Sequence, residues 1–349
     1  MDHPDLSTVP SFAACQTDRV MTDGRRPAIV VEGLTKRYGQ NTAVDDISFH
    51  VDTGEVFALL GPNGAGKTST IEMLEGFRSR DAGKVSVLGM DPSDRACQRT
   101  LRERLGVVLQ DLAVEPFLSV EEVLSRSASY FPDPRNVGEV IRSIGLEEKA
   151  TARVKSLSGG QQRRLDLGLG IVGNPELLFL DEPTTGFDPS ARRGAWDVVR
   201  NLASHGTTVI LTTHYMDEAE ALADRLAIIS GGRIVATGTV DSIGGRERSS
   251  ATIRFRLPRG LTIADLPSGL PQAETDRSGA VVLMTDDDVG VLHHLTGWAI
   301  DENITVSGLS VVRLTLEDIY LRLTGATSDG AKAGMAASAF PEPIDPVTK

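Results

Sequence analysis

"EVFALLGPNGAGKTST" occupies residues 55–70. Its first part, "EVFALL", is a short apolar run that stops at a glycine, the pattern of a parallel strand buried on both faces. "KTSTIEMLEGF", which begins at Lys67, reads as a helix. Between them Gly61, Pro62, Asn63, Gly64, Ala65, Gly66, Lys67 and Thr68 match the P-loop pattern in the strand–loop–helix context it requires. Glycines let backbone N–H groups turn inward around phosphate oxygens. Lys67 supplies a point charge to the β- and γ-phosphates, and Thr68 offers a hydroxyl to Mg²⁺. Ser69 joins the same candidate set. The plain alternative is a glycine-rich turn with a chance lysine, and the flanking strand and helix weigh against it. The stretch predicts an α/β fold that binds ATP with Mg²⁺.

Working outward, "AIVVEGL" and "AVDDISFHV" are β-rich, "KVSVLG" and "RLGVVLQD" read as strands, and Leu118 to Ala152 has helical spacing. "ELLFLD" (176–181) and "TTVILTTH" (207–214) read as buried strands with polar ends. "YMDEAEALADR" is helical, and "RLAIISGGRIVATG" is a hairpin turning at Gly231–Gly232. Alternating strands and helices imply a mostly parallel sheet, with ligands at the carboxyl ends of its strands. Gly61, Asp181 and His214 all fall there.

Asp181 and Glu182 close the apolar run "LLFL". Charge at the end of a buried strand is unfavourable unless compensated. A divalent cation would compensate Asp181, and Glu182 could then orient or deprotonate water near the γ-phosphate. The pair could also cap a helix, since "DEPTTG" reads as a turn. Gln110, ending "GVVLQ", could reach Mg²⁺ or the attacking water. His214, ending "VILTTH", could touch the γ-phosphate. Tyr38 in "KRYGQ" could stack on adenine. Each is also a residue that a strand end or loop would carry for no special reason.

A second anion site lies in "KSLSGGQQRRLDLG", residues 155–168. Ser158, Gly159 and Gly160 precede a helix, whose free N–H groups and dipole favour negative charge. Ser158 could equally be an ordinary N-cap. Two successive glycines, however, are unfavourable for a cap alone. Gly168 and Gly170, within the helix, have no functional reading.

The formal net charge of −12 disfavours a nucleic-acid partner. Cys15 and Cys97 have neither metal-ligand spacing nor the pattern of a disulfide framework, which fits a reducing cytosol. No run approaches the length of a membrane span. Residues 1–26 are expected to be a disordered leader, without the apolar segment of a signal peptide. "GGRERSS" (244–250) reads as a linker. A small α+β unit is expected over 250–325, then a disordered tail over 326–349.

Taken in order, "GPNGAGKT", Gln110, "LSGGQQ", "LLFLDEP", "GFD" at 186–188 and "TTH" resemble an ABC-type ATPase subunit, continuously from about Ala28 to Gly238. The resemblance implies an α/β P-loop NTPase of the ABC ATPase type over 27–243, with a helical insert at about 111–158 and a small C-terminal α+β domain. It makes Tyr38 the A-loop aromatic, Gln110 the Q-loop, Asp188 the D-loop acid and His214 the switch histidine. The expected catalytic set is Glu182, His214 and Gln110, and the expected metal set is Thr68, Gln110 and Asp181. It further implies that two subunits pair head to tail, Ser158, Gly159, Gly160 and Gln161 of one capping the γ-phosphate held by the other. With one P-loop and one signature here, a second ATPase subunit is needed, either a second copy, as in a homodimer, or a paralogous partner. Phe187 stands where the family usually has leucine.

The family also implies a separate membrane permease, with "DLAVEPFLS" (111–119) as candidate docking stretch, and a place on the cytoplasmic face of the cell membrane. "YFPDPRNV", "RVKSLSGGQQRRLDLG", "DEPTTGFDPSARR" and "LTLEDIYLRLTG" are similar to ABC-2-type drug-resistance exporter ATPases of the daunorubicin and polyketide kind. Export of lipid, polysaccharide or haem-related molecules is the alternative. A soluble, non-transport ABC ATPase fits less well, because such members carry two cassettes or long coiled coils. A nucleotide-binding module without turnover would not need Glu182 and His214.

Overall fold

The computed structural model describes residues 27–108, 114–248, 251–276, 278–313 and 315–324. Gln110, Cys15, residues 111–113 of the docking stretch, the 1–26 leader and the 326–349 tail lie outside them. The chain divides into two units, Met1–Ile243 and Gly244–Lys349.

In the first unit the elements follow as β1 (Pro27–Tyr38), β2 (Asn41–Asp52), β3 (Val56–Leu60), α1 (Lys67–Leu74), β4 (Ala82–Val87), α2 (Gln98–Arg104) and β5 (Leu105–Val108). Three helices come next: α3 (Val120–Ala128), α4 (Val137–Ser143) and α5 (Gly159–Val172). The unit closes with β6 (Leu177–Asp181), α6 (Pro189–Ser204), β7 (Thr208–Thr213), α7 (Met216–Leu222), β8 (Arg225–Ser230) and β9 (Arg233–Thr239).

Two sheets result. β2-β1-β4 is antiparallel, so the β-rich opening of the sequence forms a sheet of its own. The other runs β5-β6-β7-β3-β8-β9; the first five strands are parallel, and β9 returns antiparallel to β8. Gly231 and Gly232, at φ 55° and 79°, supply the left-handed pair that this tight hairpin needs. β3, β6 and β7 are buried along their whole length, which is why "VFALL", "LLFL" and "VIL" read as apolar runs rather than alternations; in β7 Thr208, Thr212 and Thr213 are buried with them. One core cluster joins the sheets through Ile29, Ile47, Phe49, Phe57, Leu74 and Phe179. The Phe49 and Phe57 rings stack at 5.4 Å between centroids.

α3 starts on a capping box formed by Ser119 and Glu122. With α4 it packs on α5, and the glycines of α5 that resist a sequence reading acquire a reason. A Cβ on Gly168 would lie 2.8 Å from Ile144 Cδ1, and one on Gly170 would lie 2.5 Å from Val108 Cγ2. Alanine would favour the isolated helix, but here it would push apart the helical layer on one side and β5 on the other.

Cys97 is buried and disulfide-bonded. The expectation of no disulfide framework, drawn from cysteine spacing, is corrected at this residue. Spacing along a sequence does not record the distances that a fold sets.

A short 3₁₀ segment, Ile243–Arg248, kinked at Gly244 and Gly245, begins at the last residue of the first unit and runs into the stretch expected to be a linker. The four strands of the second unit are β10 (Ala251–Arg256), β11 (Ala273–Thr275), β12 (Val281–Thr285) and β13 (Ser307–Val312), with helices α8 (Asp288–Asp301) and α9 (Leu316–Thr324). The sheet order is β11-β12-β10-β13, antiparallel throughout. β10 alternates cleanly, with Ala251, Ile253 and Phe255 buried. Ile253, Phe255, Leu283, Val291 and Leu295 form the core of this unit.

Candidate nucleotide site

Parallel register assembles the site. Leu60 pairs with Thr213, and Asp181 with Thr212, so β3, β6 and β7 end side by side. The residues just past those ends are Gly61, Glu182 and His214. Gly66 caps α1 at φ 103°, and a Cβ there would meet the Ala43 carbonyl oxygen at 2.4 Å, so only glycine fits. Lys67, 5% exposed, donates to the carbonyls of Gly61 at 2.7 Å and Pro62 at 3.1 Å. Its Nζ is 3.5 Å from Glu182 Oε1. Burial draws the Lys67 ammonium below its ordinary pKa, against the pull of Glu182 and Asp181.

Asp181 is buried and accepts from two hydroxyls, Thr68 at 3.3 Å on one oxygen and Thr212 on the other. Glu182 takes a left-handed backbone, φ 46°, which in a non-glycine residue costs about 1–2 kcal/mol. Its N–H is held by the Thr212 hydroxyl at 3.1 Å. Its carboxylate accepts from the Thr185 hydroxyl at 3.2 Å and lies 3.2 Å from His214 Nδ1, without hydrogen-bond alignment. Burial would raise the Glu182 carboxyl; His214, Lys67 and Thr185 beside it outweigh that and hold the group below its ordinary range. Tyr38 is 39% exposed, its hydroxyl 3.2 Å from Ser69 Oγ and its ring 5.2 Å from the Arg78 guanidinium.

Tyr38, the 61–69 loop, Asp181, Glu182 and His214 therefore converge. Ser158, Gly159, Gly160, Gln161 and Asp188 make no hydrogen bond or ion pair with them among the described residues. Ser158 caps α5 and forms a capping box with Gln161: its N–H donates to Gln161 Oε1 at 2.9 Å, and its hydroxyl accepts from the Gln161 N–H at 3.4 Å. A Cβ on Gly159 or Gly160 would meet nothing within 4 Å. Asp188 is exposed and caps α6, accepting from the N–H groups of Ser190 at 2.8 Å and Ala191 at 3.0 Å, which hold its carboxyl below the usual range. Among the described residues no hydrogen bond or ion pair joins Ser158, Gly159, Gly160, Gln161 or Asp188 to the 61–69 loop.

A strand–loop–helix phosphate cradle with two acids and a histidine at neighbouring strand ends has counterparts among known proteins. The family model described as "ABC transporter" matches residues 44–185. The Nod factor export ATP-binding protein I of Burkholderia pseudomallei (strain 1710b) is 41% identical over 301 residues, covering 84% of this chain and 95% of that one. This chain belongs to the ABC transporter ATP-binding subunits. A second model, "ABC transporter domain-containing protein-like, C-terminal domain", matches 251–315 of the ABC subunit. The daunorubicin resistance ATP-binding protein DrrA3 of Streptomyces coeruleorubidus is 36% identical, covering 85% of this subunit and 96% of the relative. Among solved structures, the dimeric ATP-binding cassette MJ0796 with ADP and Pi superposes with a TM-score of 0.55 at 21% identity, over 60% of this chain and 98% of that one; it shares the fold. As a member, the subunit is an ATPase of the P-loop NTPase fold.

Some polar residues of this ATPase escape the motifs. Thr212 binds both Asp181 and the Glu182 N–H; its signal was a threonine at the polar end of a buried strand. Glu75, 5% exposed at the end of α1, has no hydrogen-bond partner on either oxygen; burial, with Asp181 and Glu72 nearby, pushes its carboxyl up to about 8. Glu218, fully buried, accepts from Thr184 at 2.8 Å and Trp196 at 3.2 Å, linking the loop after Glu182 to α6 and α7. Phe187, the departure from leucine, is buried and faces a small cavity with Leu167, Trp196 and Val199.

Proposed function

We propose that this subunit binds and hydrolyses ATP to power efflux of an antibiotic-like small molecule through a separate ABC-2-type permease. The observation that carries this reading is relatedness across both units: the daunorubicin resistance relative is covered over 96% of its length. The higher identity to a Nod factor export protein favours a second reading, export of another class such as lipid, polysaccharide or haem-related molecules.

In this reading ATP's phosphates sit in the 61–69 loop, with Lys67 exchanging loop carbonyls for phosphate oxygens, while Tyr38 takes the adenine. Thr68 and Asp181 present two hard oxygen donors side by side, a set that fits Mg²⁺ completed by phosphate oxygens. When bound there, Mg²⁺ would neutralise phosphate charge; Gln110 belongs to the same candidate set. Glu182, held ionised, orients the attacking water and takes its proton, and His214 contacts the γ-phosphate. Open space over Gly159 and Gly160 supports a start of α5 shaped to receive a second copy's nucleotide rather than its own. Asp188 would face the same junction. A head-to-tail pair of copies closes two such sites.

Among the described residues no helix is long and apolar enough to cross a membrane, which supports a peripheral subunit at the cytoplasmic face. Phe117, 60% exposed with the Lys155 ammonium 4.6 Å above its ring, supports 111–119 as the permease-docking stretch. The test is expression of the subunit with its co-purifying membrane partner in a drug-sensitive host. Energy-dependent efflux of anthracycline-like compounds is expected. Efflux of a lipid or glycan and of no drug would select the second reading.

A further inference from the structure

Glu182 occupies an unfavourable backbone conformation, and such a conformation persists only where its surroundings fix it. The largest fixing group comes from the helix that begins at Ser158. Arg163 Nη2 donates to the carbonyls of Asp181 and Glu182, each at 3.1 Å, and Nε donates to the carbonyl of Pro183, also at 3.1 Å. Nη1 is paired with Asp166 Oδ2 at 3.2 Å, on the same helix face. The guanidinium thus collects three successive carbonyls where the β6 ladder ends. Only a planar fork with several N–H donors can do so; an ammonium is a single point of attachment.

We propose that Arg163 is the positioning residue for Glu182: it fixes the left-handed turn that aims this carboxylate between Lys67 and His214. The inference rests on the reading of Glu182 as the water-orienting group. Arg163 does not touch nucleotide in this scheme. It acts by holding three carbonyl oxygens, so its removal lets the turn relax and swings Glu182 away from the P-loop. Because α5 also carries Ser158 at its start, the same rigid element supports the exposed signature surface and the turn of its own subunit's acid.

The test uses the full-length chain with Arg163→Met and Arg163→Lys, each alone and combined with Glu182→Gln. Both single variants are expected to lower kcat by roughly tenfold or more, the scale of a misplaced reacting group, with KM for ATP within about twofold. Lysine keeps the charge but not the fork, so it should not rescue. ATP-dependent pairing should survive. Placed on Glu182→Gln, either change should add little further loss, since two residues acting through one group are not additive. Wild-type kcat in Arg163→Met, full rescue by Arg163→Lys, or additive losses in the double variant would each overturn the proposal. So would loss of folding in both variants, which would make Arg163 a scaffold residue. Wild-type turnover in Glu182→Gln alone would instead remove the reading beneath it.

Discussion

The P-loop cluster and the start of α5 are both helix N-termini suited to phosphate, yet they are built in opposite ways. Around Lys67 every candidate side chain touches another: Lys67 meets Glu182, Glu182 meets His214, and Thr68 meets Asp181. Around Gly159 and Gly160 there is nothing within reach of an added Cβ, and Ser158 is satisfied by its own capping box. The first region is completed inside the chain by parallel register. The second is finished and exposed, with its glycines answering to no neighbour in this subunit. On the reading proposed above, the difference is that of two halves of one pocket held by different subunits.

The largest effect is expected at the crowded region. Glu182→Gln should lower turnover by on the order of 10³-fold while leaving ATP binding and pairing intact. Radiolabelled ATP hydrolysis with parallel binding measurements checks this, and retained turnover would break the comparison at its stronger end. At the bare region, Ser158→Arg should cost turnover about 100-fold by obstructing a neighbour's phosphate. Nucleotide affinity of the dilute, unpaired subunit should stay unchanged; a loss of affinity there would mean that Ser158 serves its own P-loop after all.

The smallest effect concerns Glu75, which feels the charge of Asp181 and has no hydrogen-bond partner among the described residues. Its folded pKa, about 8, lies above the ordinary 4.5, so the folded state holds its proton longer. This group's contribution to stability is then fully present below about pH 4.5 and is lost as pH rises toward 8. Glu75→Gln should remove this dependence and stabilise the nucleotide-free chain at pH 8 by on the order of a few kcal/mol, with little change near pH 5. Melting curves at the two values decide it. A matching pH slope in both proteins would show that the crowded cluster carries no such penalty.

Much of the site was legible because its chemistry is local. Gly61 to Thr68, "LLFLDE" and "LTTH" each join a strand to its functional end within a few residues. Apolar runs announce buried parallel strands, and parallel strands deliver their carboxyl ends to one edge. Sequence alone therefore determined the nucleotide chemistry, the sheet class and the separateness of the second unit's pattern.

Tertiary structure alone decided what depends on contacts between distant segments. Gly168 and Gly170 look like poor helix residues until Ile144 and Val108 lie against them. Arg163 looks like one more surface arginine until β6 brings three carbonyls to it, and Tyr38 meets Ser69 only after β1 folds over α1. Motifs record covalent neighbours. Clamps and close approaches arise from packing, whose partners are fixed only when the layers meet.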